Sequence, residues 1–221
     1  MANELHQKAR KAPAGTPIRA WQRMLSGRRL DLLDPSPLDI EIEDIAHGLA
    51  RVARWNGQTI GDHGFSVAQH SVVVEELTAV LQPGIEPRWR LAALLHDGPE
   101  FVIGDMISPF KAALGLNYRA FEDRLESAIH IRFGLPPKLP APIKAVIKQA
   151  DRACAFFEAT QLAGFTTTES LSLFGRPPKG FHMAVTPLPA AEAQAQYLHR
   201  FHLLSEAAGF ESQPAAAFDT E

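Results

Sequence analysis

Residues 66–81, SVAQHSVVVEELTAVL, read as a helix with a defined start and one misfit. Ser66 is followed three residues later by Gln69, the pattern of a capping box, and Pro83-Gly84 supplies the stop. Val67, Val74, Leu77 and Leu81 recur at helical spacing and form the inward stripe. His70 falls on that stripe, three residues after Val67 and four before Val74. An imidazole on a face that packs inward needs a partner.

Two further segments carry misfits of the same kind. In PRWRLAALLHDGPE, residues 87–100, a proline suits the first helical turn, and the apolar run Leu91–Leu95 ends in His96-Asp97. Neighbouring helical residues point about 100° apart. The pair can therefore serve one site at a helix end or between helices, and Gly98-Pro99 supplies such an end. In a long helix over 141–163 the stripe is Ile143, Ile147 and Cys154, and Asp151 falls on it. A buried carboxylate without a partner costs several kcal/mol, so Asp151 needs a cation, a donor or a metal. Each residue alone has a plainer reading: a hydrogen-bonded core histidine, or an aspartate serving as cap or ion-pair partner. The order His…His-Asp…Asp on apolar helical faces favours a joint one. His70, His96, Asp97 and Asp151 then form a mixed N/O ligand set. That set suits a divalent ion with open positions for water (Mn, Co, Mg, Fe or Zn) better than a closed structural zinc site.

The rest of the chain fits the same architecture. Helices are expected over 41–54, from Pro87, and over 117–133 and 189–208. Residues 31–40 form an extended lead-in and WNGQTIGDHG a glycine-rich loop. Residues 164–188 are irregular, with room for a small hairpin. No repeat, heptad run or strand alternation appears, so the fold class is all-α, an irregular helical bundle. Its expected organisation is a mobile N-terminal arm over 1–20, one helical domain over 21–209 and a flexible C-terminal tail over 210–221. The 221 residues, 46% hydrophobic and 21% charged, suit one medium domain. A net charge of −3 argues against a nucleic-acid polymer as partner. No apolar run approaches the roughly 20 residues of a spanning helix, so no membrane is expected. The polar, basic start MANELHQKARKAPAG is not a secretory signal. One cysteine, Cys154, excludes an internal disulfide and fits a cytoplasmic location.

With His70 in SVAQHS, His96-Asp97 in ALLHDGPE and Asp151 in KQADRA, the sequence resembles the HD-domain superfamily of metal-dependent phosphohydrolases. The likeness covers roughly residues 20–162. It is closest to the bacterial branch related to the 5′-deoxynucleotidases, through LDLLDPSPLDIEIEDIAHGLA, SVAQHSVVV and LLHDGPEFVIGDMISPFK. The resemblance implies a helical bundle of the HD type and catalytic roles for Glu100 and Asp105. It also implies substrate contacts by Arg54 and Trp55, with Lys111 adding positive charge, and homodimers as in related proteins. Three departures stand out. HDGPE replaces the HD-x-x-K form and favours one metal ion over two. The TIGDHGF loop differs from the arginine-bearing loop of the true deoxynucleotidases. Gln58 stands where relatives often carry histidine. His63 and His47 lie nearby without an assigned role.

These readings converge on an enzyme that hydrolyses a phosphate monoester, a nucleoside (deoxy)monophosphate, with a metal-activated water. Two alternatives stay open: a non-hydrolytic nucleotide sensor, and another chemistry on the HD bundle such as a diiron oxygenase.

Overall fold

The computed structural model describes residues 20–106 and 116–210. The expected terminal arm and tail, and Lys111, therefore lie outside the described residues, apart from the boundary positions 20 and 210. The chain opens with an antiparallel hairpin, β1 (Trp21–Arg23) and β2 (Arg29–Asp31), in which Gln22 pairs with Leu30. A 3-10 turn at Pro37–Asp39, capped by Ser36, leads into α1 (Ile42–Leu49). Next come α2 (Val67–Leu81), α3 (Pro87–Leu94) and the short α4 (Glu100–Ile103). The helices α5 (Leu116–Arg132), α6 (Ala141–Gln161), α7 (Thr167–Phe174) and α8 (Ala190–Ala207) complete an all-α fold.

At the centre is α2, packed against α3, α6 and α8. Its burial explains its sequence, because it has apolar or small residues on most sides. The charge it does bury, Glu75, takes Arg90 from α3 and Arg200 from α8. Unpaired, that carboxylate would cost several kcal/mol. Ser66 caps the helix as its spacing predicts, accepting a hydrogen bond from the Gln69 backbone N–H at 3.2 Å. The Gln69 side chain does not return to Ser66. It donates to the Thr186 carbonyl and accepts from Leu188 N–H, each at 3.0 Å. Gln161, at the end of α6, treats Met183 and Val185 the same way, at 2.9 and 3.0 Å. Two glutamines thus strap residues 183–188 across the bundle.

Two expectations need correction. The small hairpin for which 165–188 left room is not formed there, and a hairpin stands at 21–31 instead. Residues 167–174 form α7 because Thr166 and Glu169 make a reciprocal capping box there. The first helix ends at Leu49, short of residue 54, and the chain then turns back. Ala53 bridges Ser66 in an antiparallel contact, with Arg54 N–H donating to Phe65 at 2.8 Å and Val67 N–H to Val52 at 2.9 Å. That bridge fixes Arg54 beside the start of α2. No helix among the described residues is long and apolar enough to cross a membrane.

Candidate metal centre

Three elements bring the predicted ligands together. His70 projects from the second turn of α2 and is fully buried. His96 and Asp97 lie in the turn after α3, where Gly98 N–H donates to Leu95 at 2.8 Å. A Cβ on Gly98 would sit 2.9 Å from the Leu95 carbonyl, so this tight turn requires glycine. Pro99 follows, and Glu100 N–H donates to the Asp97 carbonyl at 3.0 Å as α4 begins. The helix end anticipated from Gly98-Pro99 is therefore what turns two adjacent side chains toward one point. Asp151 enters from the middle of α6.

Among His70, His96 and Asp97 the distances fit a ligand shell, and Asp151 approaches that group at His70. Asp97 Oδ2 lies 3.3 Å from His96 Nε2 and 3.4 Å from His70 Nε2, and Asp151 Oδ1 lies 3.4 Å from the same His70 nitrogen. Yet both Nε2 atoms are buried and make no hydrogen bond. Donor atoms about 2.1 Å from a shared ion stand roughly 3.0–3.4 Å from one another in octahedral or tetrahedral order. Each imidazole is oriented from behind. His96 Nδ1 faces the Ala93 carbonyl at 2.9 Å, and His70 Nδ1 faces Glu158 Oε1 at 2.5 Å. Burial and Arg54 oppose charge on His70, but Glu158 outweighs them and raises its pKa well above the usual value, so without an ion the His70 ring keeps a proton on both nitrogens. With Nδ1–H held from behind, Nε2 is the atom on each ring that would give its proton up and turn a lone pair to a metal. His70, His96 and Asp97 form a group that could hold a metal ion. Asp151 reaches that group through His70 and also takes exposed Lys148 at 2.9 Å.

The electrostatics favour ionised acids. Burial opposes ionisation of Asp97, but His96 and then His70 outweigh it and hold the carboxyl well below the usual range. Burial likewise opposes ionisation of Glu158, yet Arg54 and His70 bring it down to about 2. Cys154, fully buried with its thiol donating to Glu158 at 3.2 Å, is pushed up to about 12, chiefly by burial and then by Glu158. It is an inert thiol.

The predicted substrate residues form the rim. Arg54 Nη1 is 3.2 Å from Asp105 Oδ2 and 4.0 Å from Asp97 Oδ2, and Arg54 Nε is 3.3 Å from Glu158 Oε2. Trp55 donates its indole N–H to the same Glu158 oxygen at 2.8 Å. Its backbone is left-handed, with φ 58°, as is that of Asn56, with φ 51°. A bulky residue adopts that conformation only where its surroundings fix it, and it clusters at functional sites. Here Phe165 and Phe174 pack on the ring at 5.5 and 5.9 Å between centroids. The 164–188 excursion is therefore the aromatic wall behind Trp55. Glu100 is buried at the first position of α4, immediately after the ligand turn.

Glu158 is a site residue that the spacing of the predicted ligands leaves out. It lies four residues after Cys154, on the stripe that exposed Asp151, so the same test extended by one turn finds it.

No family model matches the chain. An uncharacterized protein of Rhodobacter capsulatus is 60% identical over 190 residues, covering 84% of this chain and 96% of its own length. The uncharacterized Escherichia coli protein YfdR is 30% identical over 168 residues, covering 76% of this chain and 86% of its own length.

Proposed function

The chain belongs to the same family as these two bacterial proteins, and we propose that it is a metal-dependent phosphohydrolase of the HD type acting on a small phosphate monoester, a nucleoside 5′-monophosphate. One observation carries the proposal. Two buried imidazole nitrogens without hydrogen bonds face Asp97 and Asp151, and a guanidinium stands 4.0 Å from the nearest of those carboxylate oxygens. That arrangement suits a cation and an anion bound side by side.

A divalent ion held by His70, His96, Asp97 and Asp151 would supply an acidified water and a Lewis acid for a phosphoryl oxygen. The chain's own groups do the rest. Arg54 binds the phosphate, exchanging its Asp105 partner for the incoming oxygens. Glu100, one helical turn from His96-Asp97, orients the water and accepts its proton. Asp105, released from Arg54, works with Glu100 in orienting the water and passing its proton on to the departing alcohol oxygen. Trp55, packed on Phe165 and Phe174, gives the sugar or base an apolar face next to Arg54. Lys111 joins this reading through the family resemblance alone.

A two-iron oxygenase would need a second ligand set. Among the described residues the other grouping of ligand-type side chains is His70, Cys154 and Glu158, which shares His70. The 2.5 Å hydrogen bond between His70 and Glu158 leaves no room for an ion between them.

The test is phosphate release from deoxy- and ribonucleoside 5′-monophosphates by metal-stripped protein with Mn, Co, Mg, Zn or Fe(II) restored, beside an Asp97→Ala control. Metal-dependent turnover lost in the control supports the proposal. Metal binding with no turnover on any of these substrates would shift the weight to a nucleotide sensor.

A further inference from the structure

Glu158 stands behind both halves of the site, and its two oxygens are divided between them. Oε1 meets His70 Nδ1 at 2.5 Å and accepts from Cys154 Sγ at 3.2 Å. Oε2 accepts from Trp55 Nε1 at 2.8 Å and Arg54 Nε at 3.3 Å. The carboxylate is fully buried on α6 and reaches α2 on one side and Arg54 with the left-handed Trp55 on the other. We propose that Glu158 is a positioning residue, one oxygen fixing the His70 tautomer for metal binding and the other fixing Arg54 and Trp55 for the substrate. The inference rests on the metal-site reading above.

A symmetrical acceptor is what this arrangement uses. Three donor groups besides the thiol converge on it, and a carboxylate accepts on both oxygens. An amide of the same shape cannot. In Glu158→Gln one side must meet an NH2 group. The amide oxygen stays with Arg54 and Trp55, which together offer a charge and two donors. The NH2 then faces His70 Nδ1, which must become the acceptor. The proton moves to Nε2, where the lone pair for the ion is needed. A merely structural carboxylate would weaken the fold when replaced, but it would leave the metal affinity of the folded protein alone.

The experiment measures Co2+ affinity by calorimetry and the Co2+ absorption spectrum for wild type, Glu158→Gln and His96→Ala. Tryptophan emission is followed in a background in which Trp21 and Trp89 are phenylalanine, leaving Trp55 as reporter. Glu158→Gln should lose roughly 10–100-fold in Co2+ affinity, the range for partners that orient a ligand. Its Co2+ spectrum should change while Trp55 emission stays. A second measurement does not depend on the variant folding: nitrogen shifts of labelled histidine in Zn2+-loaded wild type should show His70 protonated at Nδ1. Wild-type affinity and spectrum in folded Glu158→Gln would overturn the inference and leave the metal centre standing, whereas a His70 protonated at Nε2 in the Zn2+-loaded protein would overturn the inference and remove His70 from the ligand set. Failure of wild type to bind either ion, or binding unchanged in His96→Ala, would overturn the metal reading itself and this inference with it.

Discussion

Gly48→Ala tests how α1 sets the position of Glu100. Gly48 lies in α1 against α4, and a Cβ there would sit 2.8 Å from the Phe101 carbonyl oxygen, 2.9 Å from its Cβ and 3.1 Å from its Cα. Two of these atoms are backbone and cannot rotate aside. In an open helix the change to alanine would stabilise by about 1 kcal/mol. Overpacking costs about 1–3 kcal/mol, and a rigid backbone obstacle belongs at the upper end, so the net loss is about 1–2 kcal/mol. At roughly 2–4 °C per kcal/mol for a chain of this size, Tm falls by roughly 2–8 °C. The lost space must be recovered by moving α4, which begins at Glu100. The proposed metal ligands sit on α2, on α6 and in the preceding turn. Co2+ affinity should therefore stay within about twofold, while turnover falls by as much as 100-fold, on the order expected for a 1 Å misplacement. The assays are urea unfolding, Co2+ titration and phosphate release on one preparation. A variant as stable as wild type would refute the close-approach argument. Turnover and metal affinity falling together would refute the separation of Glu100 from the ligand set.

Three further outcomes are expected. Restoring Co2+ to stripped protein at about 100 times its Kd should stabilise the fold by about 2.7 kcal/mol, seen as a thermal shift of roughly 5–11 °C; Asp97→Ala should show no shift, and an equal one would place the ion elsewhere. Burial holds the His130 pKa below its usual value, partly offset by the Pro137 and Pro136 carbonyls. The unfolded chain then binds the extra proton, so stability is lost as pH falls through about 6.5 toward the lower folded value. Replacement by a side chain that does not titrate, His130→Gln, should shrink the drop in urea midpoint between about pH 7.5 and 5.5, and an unchanged drop would clear His130. Gln161→Ala removes the hydrogen bonds to Met183 and Val185; limited proteolysis should then cut faster within 175–188, with about 1–3 kcal/mol of stability lost.

Much of this fold was legible where one physical rule governs one segment. Capping chemistry located the start of α2, proline the start of α3, and apolar periodicity the run of α6. That His70 and Asp151 would meet was legible because both face inward, where an imidazole and a carboxylate must be compensated, and a shared cation would compensate both. What was missed depends on tertiary context. The first helix ends early because α4 crowds Gly48 and the chain must turn to bridge Ala53 with Ser66, and neither contact has a local signature. The hairpin at 21–31 is too short to show alternation. Gln69 looked like one half of a capping box, but its side chain straps residues 186–188, a partner more than a hundred positions away. The left-handed Trp55 follows from Glu158 and the two phenylalanines that hold its ring, not from any preference of tryptophan.

The charge arrangement is compatible with the proposal that this acidic chain takes an anionic substrate. Asp97, Asp105, Asp151 and Glu158 are drawn around Arg54, whose Nε and Nη1 already face Glu158 and Asp105. At an effective dielectric constant near 20, two unit charges 4 Å apart interact by about 4 kcal/mol. One guanidinium cannot offset that many neighbours. Lys148 adds little to Asp151, because its side chain is 69% exposed and the pair is screened by water. The remaining negative charge is concentrated on Asp97 and Asp151, which both face His70 Nε2, with His96 Nε2 beside Asp97. A divalent ion held there by His70, His96, Asp97 and Asp151 would neutralise the excess and give the imidazole nitrogens an acceptor. Arg54, now 4.0 Å from Asp97, would then be opposed by Asp105 at the rim and Glu158 behind, and a phosphate could displace the first without disturbing the second. On the proposed function the cation would therefore bind before the anion, with Glu158 as the fixed point for both.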